Sequence, residues 1–226
     1  MIPPLIVQSA LEKEIDLIAI TDHNASANVR AVQKAAEGTS LTVLPGMEVQ
    51  SREDIHLLTL FEFPETLDQW QTQVDEALPS LPNNPDYFGE QFVVDETGEF
   101  IRSESRLLIN STSFSIDEIF ERVHRLGGIV IPAHVERTSY GLFPSLGLVS
   151  DEWHLLALEI SRHITPKEAA AKFPAVRKYP LIQSGDVHRL DEFLGTTVFT
   201  LASPSVMEIG MAFHNIEGRK VCIESK

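Results

Sequence analysis

The sequence predicts an α/β protein in which helices cover a mostly parallel sheet or a barrel. Short apolar segments that are typical of strands alternate with segments that are typical of helices along most of the 226 residues. The length and the lack of an internal repeat or a dividing linker favour one domain, residues 1–226. A chain of this size buries roughly 70% of its unfolded surface, which is enough for a core without disulfides.

The first part of the chain shows this alternation clearly. Pro3 and Pro4 open a predicted helix, because the first turn of a helix tolerates a residue without an N–H donor. Leu5, Ala10 and Leu11 suit one buried face of that helix. The elements predicted next are a strand at 16–24, a helix at 26–37 with Ser26 as its cap, strands at 41–49 and 55–61, and a helix at 65–78.

Residues 79–111 interrupt the pattern, since they are rich in Pro, Asn, Asp and Gly and have no sustained period. A segment of this length inside a compact domain is usually functional or an insertion, so we predict an insertion or a lid. Tyr87, Phe88 and Phe92 are candidates to stack on a base, although burial against the domain is the commoner fate of such aromatics.

The regular pattern resumes with a helix over 115–128, where Ser115 and Glu118 have the spacing of a capping box. The alternation then continues to the end of the chain. The remaining predicted elements are strands at 129–134, 155–161, 181–188 and 196–202, helices at 168–173 and 203–215, and a final strand at 221–225.

Charge and composition exclude several classes of protein. There are 18 basic and 33 acidic residues, and the net charge of −15 argues against a general nucleic-acid coat or a binder of anionic membranes. Cys222 is the single cysteine, so an intrachain disulfide is excluded and a reducing, cytoplasmic location is expected. No apolar run approaches the roughly 18 residues of a membrane-spanning helix.

Imidazole and carboxylate side chains lie at the ends of five predicted strands. In parallel α/β folds, the residues that follow the strands lie at one edge and carry the chemistry. His56 departs from this rule, because it opens its strand instead of following it. The residues of this set are Asp22, His23, Glu48, His56, His134, Asp186 and His188.

The donor atoms of this set suit a divalent metal such as Zn, Mn or Fe. Any one of these residues alone is more often a turn former or a surface group, so the coincidence over several strand ends carries the prediction. The pattern alone does not separate a phosphoesterase from an amidohydrolase. The histidines that are not favoured as ligands are His124, His154, His163 and His214.

Five short segments, taken in order, resemble the PHP family, named for polymerase and histidinol phosphatase domains. These segments are AITDHN, PGMEV, an H-L-L strand, IPAHV and SGDVH. The resemblance extends over nearly the whole chain. It implies a distorted β/α barrel, usually of seven strands, with a site of two or three metals that hydrolyses phosphoesters.

The resemblance also implies a role for each matched residue. Glu48 resembles the carboxylate that bridges two metals. Asp22 resembles a residue that orients a metal ligand, and we place it in the catalytic set. Residues that orient metal ligands commonly affect metal affinity. The other implied metal ligands are His56 and His134 on one side of the bridged pair, Asp186 on its other side, and His23 with His188 at a further metal.

One part of the family pattern is missing. Family members open with a strand that ends in an H-x-H pair, whereas no histidine precedes His23 here, and residues 1–4 resemble the start of the following helix. We expect that the natural gene product begins upstream of Met1. The alternative is a repurposed relative that lacks the motif. We expect fewer bound metals than the family's full number and low activity. We also expect an open barrel edge that favours oligomers.

Three arginines lie within a few residues of the predicted site, namely Arg137, Arg162 and Arg189. A planar guanidinium suits a phosphate, and an ordinary surface role is at least as common. Arg162 is the arginine that we place in the catalytic set. The acidic balance favours a small phosphorylated metabolite or a nucleotide over a long polynucleotide.

The sequence therefore predicts hydrolysis of a phosphoester by a metal-activated water. The alternative is a catalytically silent metal-binding or regulatory domain, which the missing first motif supports. A third and weaker hypothesis is an amidohydrolase-like enzyme, which more usually shows a lysine or a carboxylate bridge from its middle strands.

Overall fold

The computed structural model describes residues 1–224, and these residues form a mixed α/β fold. Ser225, the last residue of the predicted strand 221–225, lies outside the described residues. The strands are β1 (Leu17–Ile20), β2 (Thr42–Gln50), β3 (His56–Leu60), β4 (Phe92–Val94), β5 (Phe100–Ser103), β6 (Ile129–Pro132), β7 (Leu158–Glu159), β8 (Leu181–Ile182), β9 (Thr197–Thr200) and β10 (Lys220–Ile223). The helices are α1 (Pro3–Glu12), α2 (Val29–Ala35), α3 (Pro64–Ala77), α4 (Pro85–Phe88), α5 (Ile116–Arg125), α6 (Leu142–Leu146), α7 (Pro166–Lys172) and α8 (Val206–Phe213).

The main sheet contains four strands in the order β1-β2-β3-β6. Strand β1 is parallel to β2, whereas β3 is antiparallel to both β2 and β6. Only residues 51–55 separate β2 from β3, and a parallel connection needs a crossover of about a dozen residues or more. The prediction of a mostly parallel sheet is therefore wrong at β3, and the sheet is mixed.

The other strands form three pairs: β7 with β8 in parallel, and β4 with β5 and β9 with β10 antiparallel. The N–H of Val135 donates to the carbonyl of Glu159 at 2.9 Å, which places β7 beside the end of β6. Within residues 1–224 these pairings do not form a continuous hydrogen-bonded ring, so closure of the predicted barrel is not observed. Strand β1 lies at the edge of its sheet, and association through that edge stays a prediction.

Apolar clusters cover both faces of the main sheet. Successive residues of β6 belong to different clusters, because Val130 packs with α3 and α5 whereas Ile131 packs with α8. Trp70 of α3 and Phe61 are fully buried in the first cluster. A third cluster lies under α1 and α2. Burial on both faces explains why these strands appear in the sequence as continuous apolar runs.

The helix boundaries follow local signals in some places and tertiary contacts in others. The capping box of α5 is confirmed, since Ser115 Oγ accepts the Glu118 N–H at 3.2 Å and the Glu118 carboxylate accepts the Ser115 N–H at 2.8 Å. Helix α2 begins later than predicted, and the N–H of Ser26 donates instead to Gln71 Oε1 at 2.6 Å. Leu5 is 41% exposed because the buried face of α1 follows residues 3, 7 and 10.

Residues 79–111 form α4 and the β4–β5 hairpin, and they connect to the loop that follows β1. The side chain of Asn28 donates to the Phe92 carbonyl at 3.1 Å and accepts the Val94 N–H at 3.1 Å. Tyr87, Phe88 and Phe92 are 79%, 44% and 51% exposed, so the commoner fate of burial does not apply to them. The role of this segment as a lid stays a prediction.

Gly46 in β2 lies where the two neighbouring strands leave no room for a side chain. An added Cβ would lie 2.8 Å from Leu60 Cδ2 and 2.9 Å from Thr21 Cγ2. Glycine therefore lets β1 and β3 approach β2 closely, two residues before Glu48.

We predict that Gly46→Ala lowers the free energy of unfolding by about 1–3 kcal/mol, because the methyl group overpacks a close contact between strands. Gly210→Ala is the control: a Cβ there meets nothing within 4 Å, and alanine favours the helix. Urea denaturation of both variants measures the difference. A Gly46→Ala protein as stable as Gly210→Ala would contradict the argument.

Candidate metal centre

Imidazoles from three separate segments meet the carboxylate of Glu48 at one edge of the main sheet. His23 follows β1 and forms an isolated parallel bridge with Glu48 of β2. His134 follows β6, which runs antiparallel to β3. His56 pairs with Gln50 across the β2–β3 ladder, so the start of β3 lies where β2 ends. The reversed direction of β3 explains how a residue that opens its strand reaches the same edge as residues that follow theirs.

Glu48 is the common contact of this group and is only 5% exposed. Its Oε1 lies 2.9 Å from His56 Nδ1 and 3.4 Å from His134 Nε2, and its Oε2 lies 3.3 Å from His23 Nδ1. Burial raises the pKa of Glu48, but the hydrogen bonds from His134 and His56 outweigh burial and hold the pKa far below its usual range. Glu48 is therefore an ionised carboxylate inside the protein.

This donor set fits a divalent metal. One ligand atom each of His23, Glu48 and His56 lie within 4.8 Å of one another. Burial lowers the pKa of His23 and so favours the neutral imidazole that a metal requires. His134 Nδ1 is buried and has no hydrogen-bond partner among the described residues. Two or three imidazoles with a carboxylate are typical of zinc and similar ions.

Tyr140 fixes the orientation of His56. Its ring stacks on the imidazole with centroids 4.4 Å apart and 7° between the planes. The backbone carbonyl of Tyr140 also accepts the backbone N–H of His56 at 3.1 Å. Tyr140 has a φ of +62° and His134 a φ of +32°, conformations that bulky residues rarely adopt and that often occur at functional sites. Tyr140 was not among the site residues predicted from the sequence.

Two further residues, Asn24 and Glu159, lie behind the centre and were not among the site residues predicted from the sequence. Asn24 is fully buried, and its Nδ2 donates to the carbonyls of Leu108 and Asn110, each at 2.8 Å. Glu159 is 3% exposed, accepts the His134 N–H at 3.1 Å, and burial raises its pKa to about 7. A charged residue inside the apolar run LLALEIS was the available signal for Glu159.

Asp186 and His188 lie on the loop after β8, beside the His23–Glu48–His56 group. The rings of His188 and His23 are 5.9 Å apart, and His188 is mostly exposed. Asp186 Oδ1 lies 3.7 Å from His188 Nδ1, and Asp186 Oδ2 accepts a 2.5 Å hydrogen bond from Arg137 Nη1. The structure thus brings both residues towards His23 and pairs Asp186 with an arginine.

The two residues of the predicted catalytic set also have defined partners. Asp22 is exposed, and its Oδ2 accepts a 3.4 Å hydrogen bond from Asn28 Nδ2. Arg162 Nη2 donates to Glu192 Oε1 at 2.7 Å, and Arg162 Nη1 donates to the Gly185 carbonyl at 3.3 Å. The guanidinium of Arg162 therefore contacts the loop that carries Asp186 and His188.

No family model matches the sequence, and no curated protein matches it at a significant level. Among solved structures, the lesion-specific endonuclease Q from Pyrococcus furiosus superposes with a TM-score of 0.72 at 17% identity, over 98% of this chain and 53% of that one. A candidate metal-dependent phosphoesterase from Bifidobacterium adolescentis superposes with a TM-score of 0.55 at 20% identity, over 83% and 82% of the two chains. A two-domain protein from Bacteroides vulgatus that contains a predicted PHP-like metal-dependent phosphoesterase gives 0.54 at 13% identity, over 98% and 60%.

The chain has a PHP-type fold. The order of its motifs predicted a PHP-type fold, and the likeness supports it, whereas the closed barrel of that prediction is not observed in residues 1–224. The chain spans about half the length of the endonuclease Q chain that it matches. Among residues 1–224, no helix is long and apolar enough to cross a bilayer.

We predict that Mn²⁺ or Zn²⁺ raises the Tm of the wild-type chain and that Glu48→Gln reduces this rise. A ligand that binds only the folded state stabilises it by about 2.7 kcal/mol at 100 times its Kd. Glu121→Gln is the control, because that carboxylate is 68% exposed and pairs with Arg125. Differential scanning calorimetry with and without metal measures the shift. An equal rise in Glu48→Gln and wild type would contradict the assignment.

Proposed function

We propose that this chain is a metal-dependent phosphoesterase whose active centre is built around Glu48. The observation that carries the proposal is a buried carboxylate in contact with the imidazoles of His23, His56 and His134. The proteins of similar fold include a candidate phosphoesterase and an endonuclease, and both names denote hydrolysis of phosphoesters. This agreement of donor chemistry and fold supports the proposal.

We assign His23, Glu48 and His56 as ligands of one ion, with His134 beside them as a further ligand. Asp186 and His188 are assigned to a second ion at the adjacent loop, and Asp22 to the orientation of the His23 segment. Zinc, manganese and iron all suit imidazole with carboxylate. The grouping of donors favours fewer ions than the full number of a family site, which holds two or three.

A bound divalent ion supplies Lewis-acid stabilisation of the phosphoryl charge and makes water a nucleophile near neutral pH. The residues of the chain prepare that environment. Glu48 keeps its negative charge inside the fold, which favours a cation at this position. Tyr140 orients the ring of His56, and Glu159 accepts the backbone N–H of His134. These contacts fix the ligands before a metal binds, which increases affinity.

The substrate binds in a cleft next to Asp186 in this proposal. The cleft has a volume of 630 Å³, in the range of sites for small ligands, and Arg137, His163 and Lys172 are among its lining residues. Its acidic residues already accept hydrogen bonds, Glu136 from the Ser161 N–H and Glu168 from the Thr165 N–H. The two carboxylates keep their negative charge and balance the two cations in formal charge, so it is the acidic net charge of the chain that favours a small phosphorylated metabolite or a nucleotide over a long polynucleotide.

Nucleic acid is the alternative substrate, supported by the likeness to an endonuclease. The net charge of −15 works against it, because binding to long polynucleotides depends on many basic contacts.

A second candidate function is a catalytically silent metal-binding or regulatory domain. The ion pair between Arg137 and Asp186 favours the silent domain, because the guanidinium occupies a carboxylate that would otherwise be available to a metal cation.

We predict that the chain hydrolyses p-nitrophenyl phosphate or bis-p-nitrophenyl phosphate when Mn²⁺ or Zn²⁺ is added, and that a chelator stops turnover. Glu48→Gln should lower kcat by about 100-fold or more, since a metal ligand is lost, whereas Glu121→Gln keeps wild-type activity. Spectrophotometric assays with measured metal content test this. Metal bound without turnover of either substrate would favour the silent domain.

We predict that Lys172→Ala raises KM for a nucleotide substrate by roughly fivefold, the size of one exposed ion pair. The KM for p-nitrophenyl phosphate should change less, because that substrate has no sugar or base to extend from the proposed metal centre along the cleft. Lys167→Ala, an exposed lysine on the same helix outside the cleft lining, is the control. An unchanged KM for the nucleotide substrate in Lys172→Ala would remove the cleft from the binding site.

A further inference from the structure

The loop after β8 has a strained backbone that contacts with other segments must stabilise. Gly185 has a φ of +97° and Asp186 a φ of +49°, so two successive residues adopt positive φ. Gly185 is also close to the chain that follows, because an added Cβ would lie 2.9 Å from the Glu192 carbonyl oxygen. Non-glycine residues such as Asp186 hold this conformation only where neighbouring contacts compensate for the strain.

Glu192 provides two of these contacts. Its Oε2 accepts the N–H of His188 at 2.7 Å and the N–H of Arg189 at 2.9 Å. Its side chain is only 18% exposed. A single carboxylate oxygen thus holds the two successive N–H groups two and three residues after Asp186 and helps to set the direction in which the chain presents His188.

Arg162 provides the other contacts, from the segment that follows β7. Its Nη2 donates to Glu192 Oε1 at 2.7 Å, and its Nη1 donates to the Gly185 carbonyl at 3.3 Å. Both interactions bind the loop, one directly and one through Glu192. A phosphate on this guanidinium would compete with the carboxylate of Glu192.

We propose that Glu192 and Arg162 are positioning residues that hold Asp186 and His188 in the arrangement needed to bind a metal. Arg162 acts through Glu192 and Gly185, not by contact with the phosphate. This inference rests on the proposed function, because it assumes that Asp186 and His188 face a metal. Partners behind metal ligands typically change metal affinity or activity by about 10–100-fold when they are removed.

The two roles of Arg162 predict different kinetics. If Arg162 contacts phosphate, Arg162→Ala raises KM and leaves metal affinity unchanged, and Glu192→Ala frees the guanidinium and does not weaken substrate binding. If Arg162 positions the loop, both variants weaken metal binding and lower kcat. Arg162→Lys keeps a charge that can reach Glu192 but lacks the planar fork, so it restores only part of the loss.

The test uses the full chain and the variants Glu192→Ala, Glu192→Gln, Arg162→Ala and Arg162→Lys. Glu62→Gln is the matched control, since Glu62 Oε2 accepts two successive N–H groups in the same way, those of Val206 and Met207 at the start of α8. The readouts are Mn²⁺ affinity by titration calorimetry, amide hydrogen exchange in residues 184–190, and kcat and KM. Calorimetric unfolding of each variant checks that it is folded.

We expect Glu192→Ala and Arg162→Ala to weaken Mn²⁺ binding by about 10–100-fold. The amides of His188 and Arg189 should exchange faster, and kcat should fall more than KM rises. Glu62→Gln should keep the wild-type Mn²⁺ affinity. Glu192→Gln retains an acceptor oxygen and should fall between wild type and Glu192→Ala.

Wild-type Mn²⁺ affinity in both alanine variants, or a rise in KM alone in Arg162→Ala, would overturn the inference and leave the proposed function standing. A wild-type chain that binds no metal and turns over no phosphoester would overturn the proposed function, and this inference with it.

Discussion

A buried carboxylate is stable inside a protein only when polar or charged partners surround it. Glu48 meets this condition through three imidazoles that come from three different segments of the chain. To bring those segments together, β1, β3 and β6 must join β2 in one sheet, and β3 must run in the opposite direction. The arrangement of the main sheet and the arrangement of the candidate site are therefore consequences of the same constraint.

The residues packed around the imidazoles hold this arrangement through contacts of the chain itself. Asn24 connects the loop after β1 to residues 108 and 110, and Glu159 connects the backbone of His134 to β7. Tyr140 covers the ring of His56. These contacts hold the segments of the candidate centre in place, so under the proposed function a cation would bind with little loss of conformational entropy.

The loop that carries Asp186 and His188 is organised in a different way. Its contacts come from Arg162 and Glu192, which are charged and partly exposed, and not from the buried core. Asp186 itself pairs with Arg137 at the edge of the cleft. The candidate centre thus has a buried part built on Glu48 and a more exposed part held by ion pairs.

Several features of this protein follow from the sequence by itself. The capping box of Ser115 and Glu118, the apolar strands and the order of the histidine and carboxylate motifs depend on residues close together in the chain, so local patterns predict them. The tertiary structure decided the rest. The direction of β3 brings His56 to Glu48, and the contact of Arg162 with Glu192 joins residues 30 positions apart. The exposure of Tyr87 and Phe88 likewise depends on what packs beside them. No local period encodes such contacts, because they arise from strand pairing and burial across the whole chain.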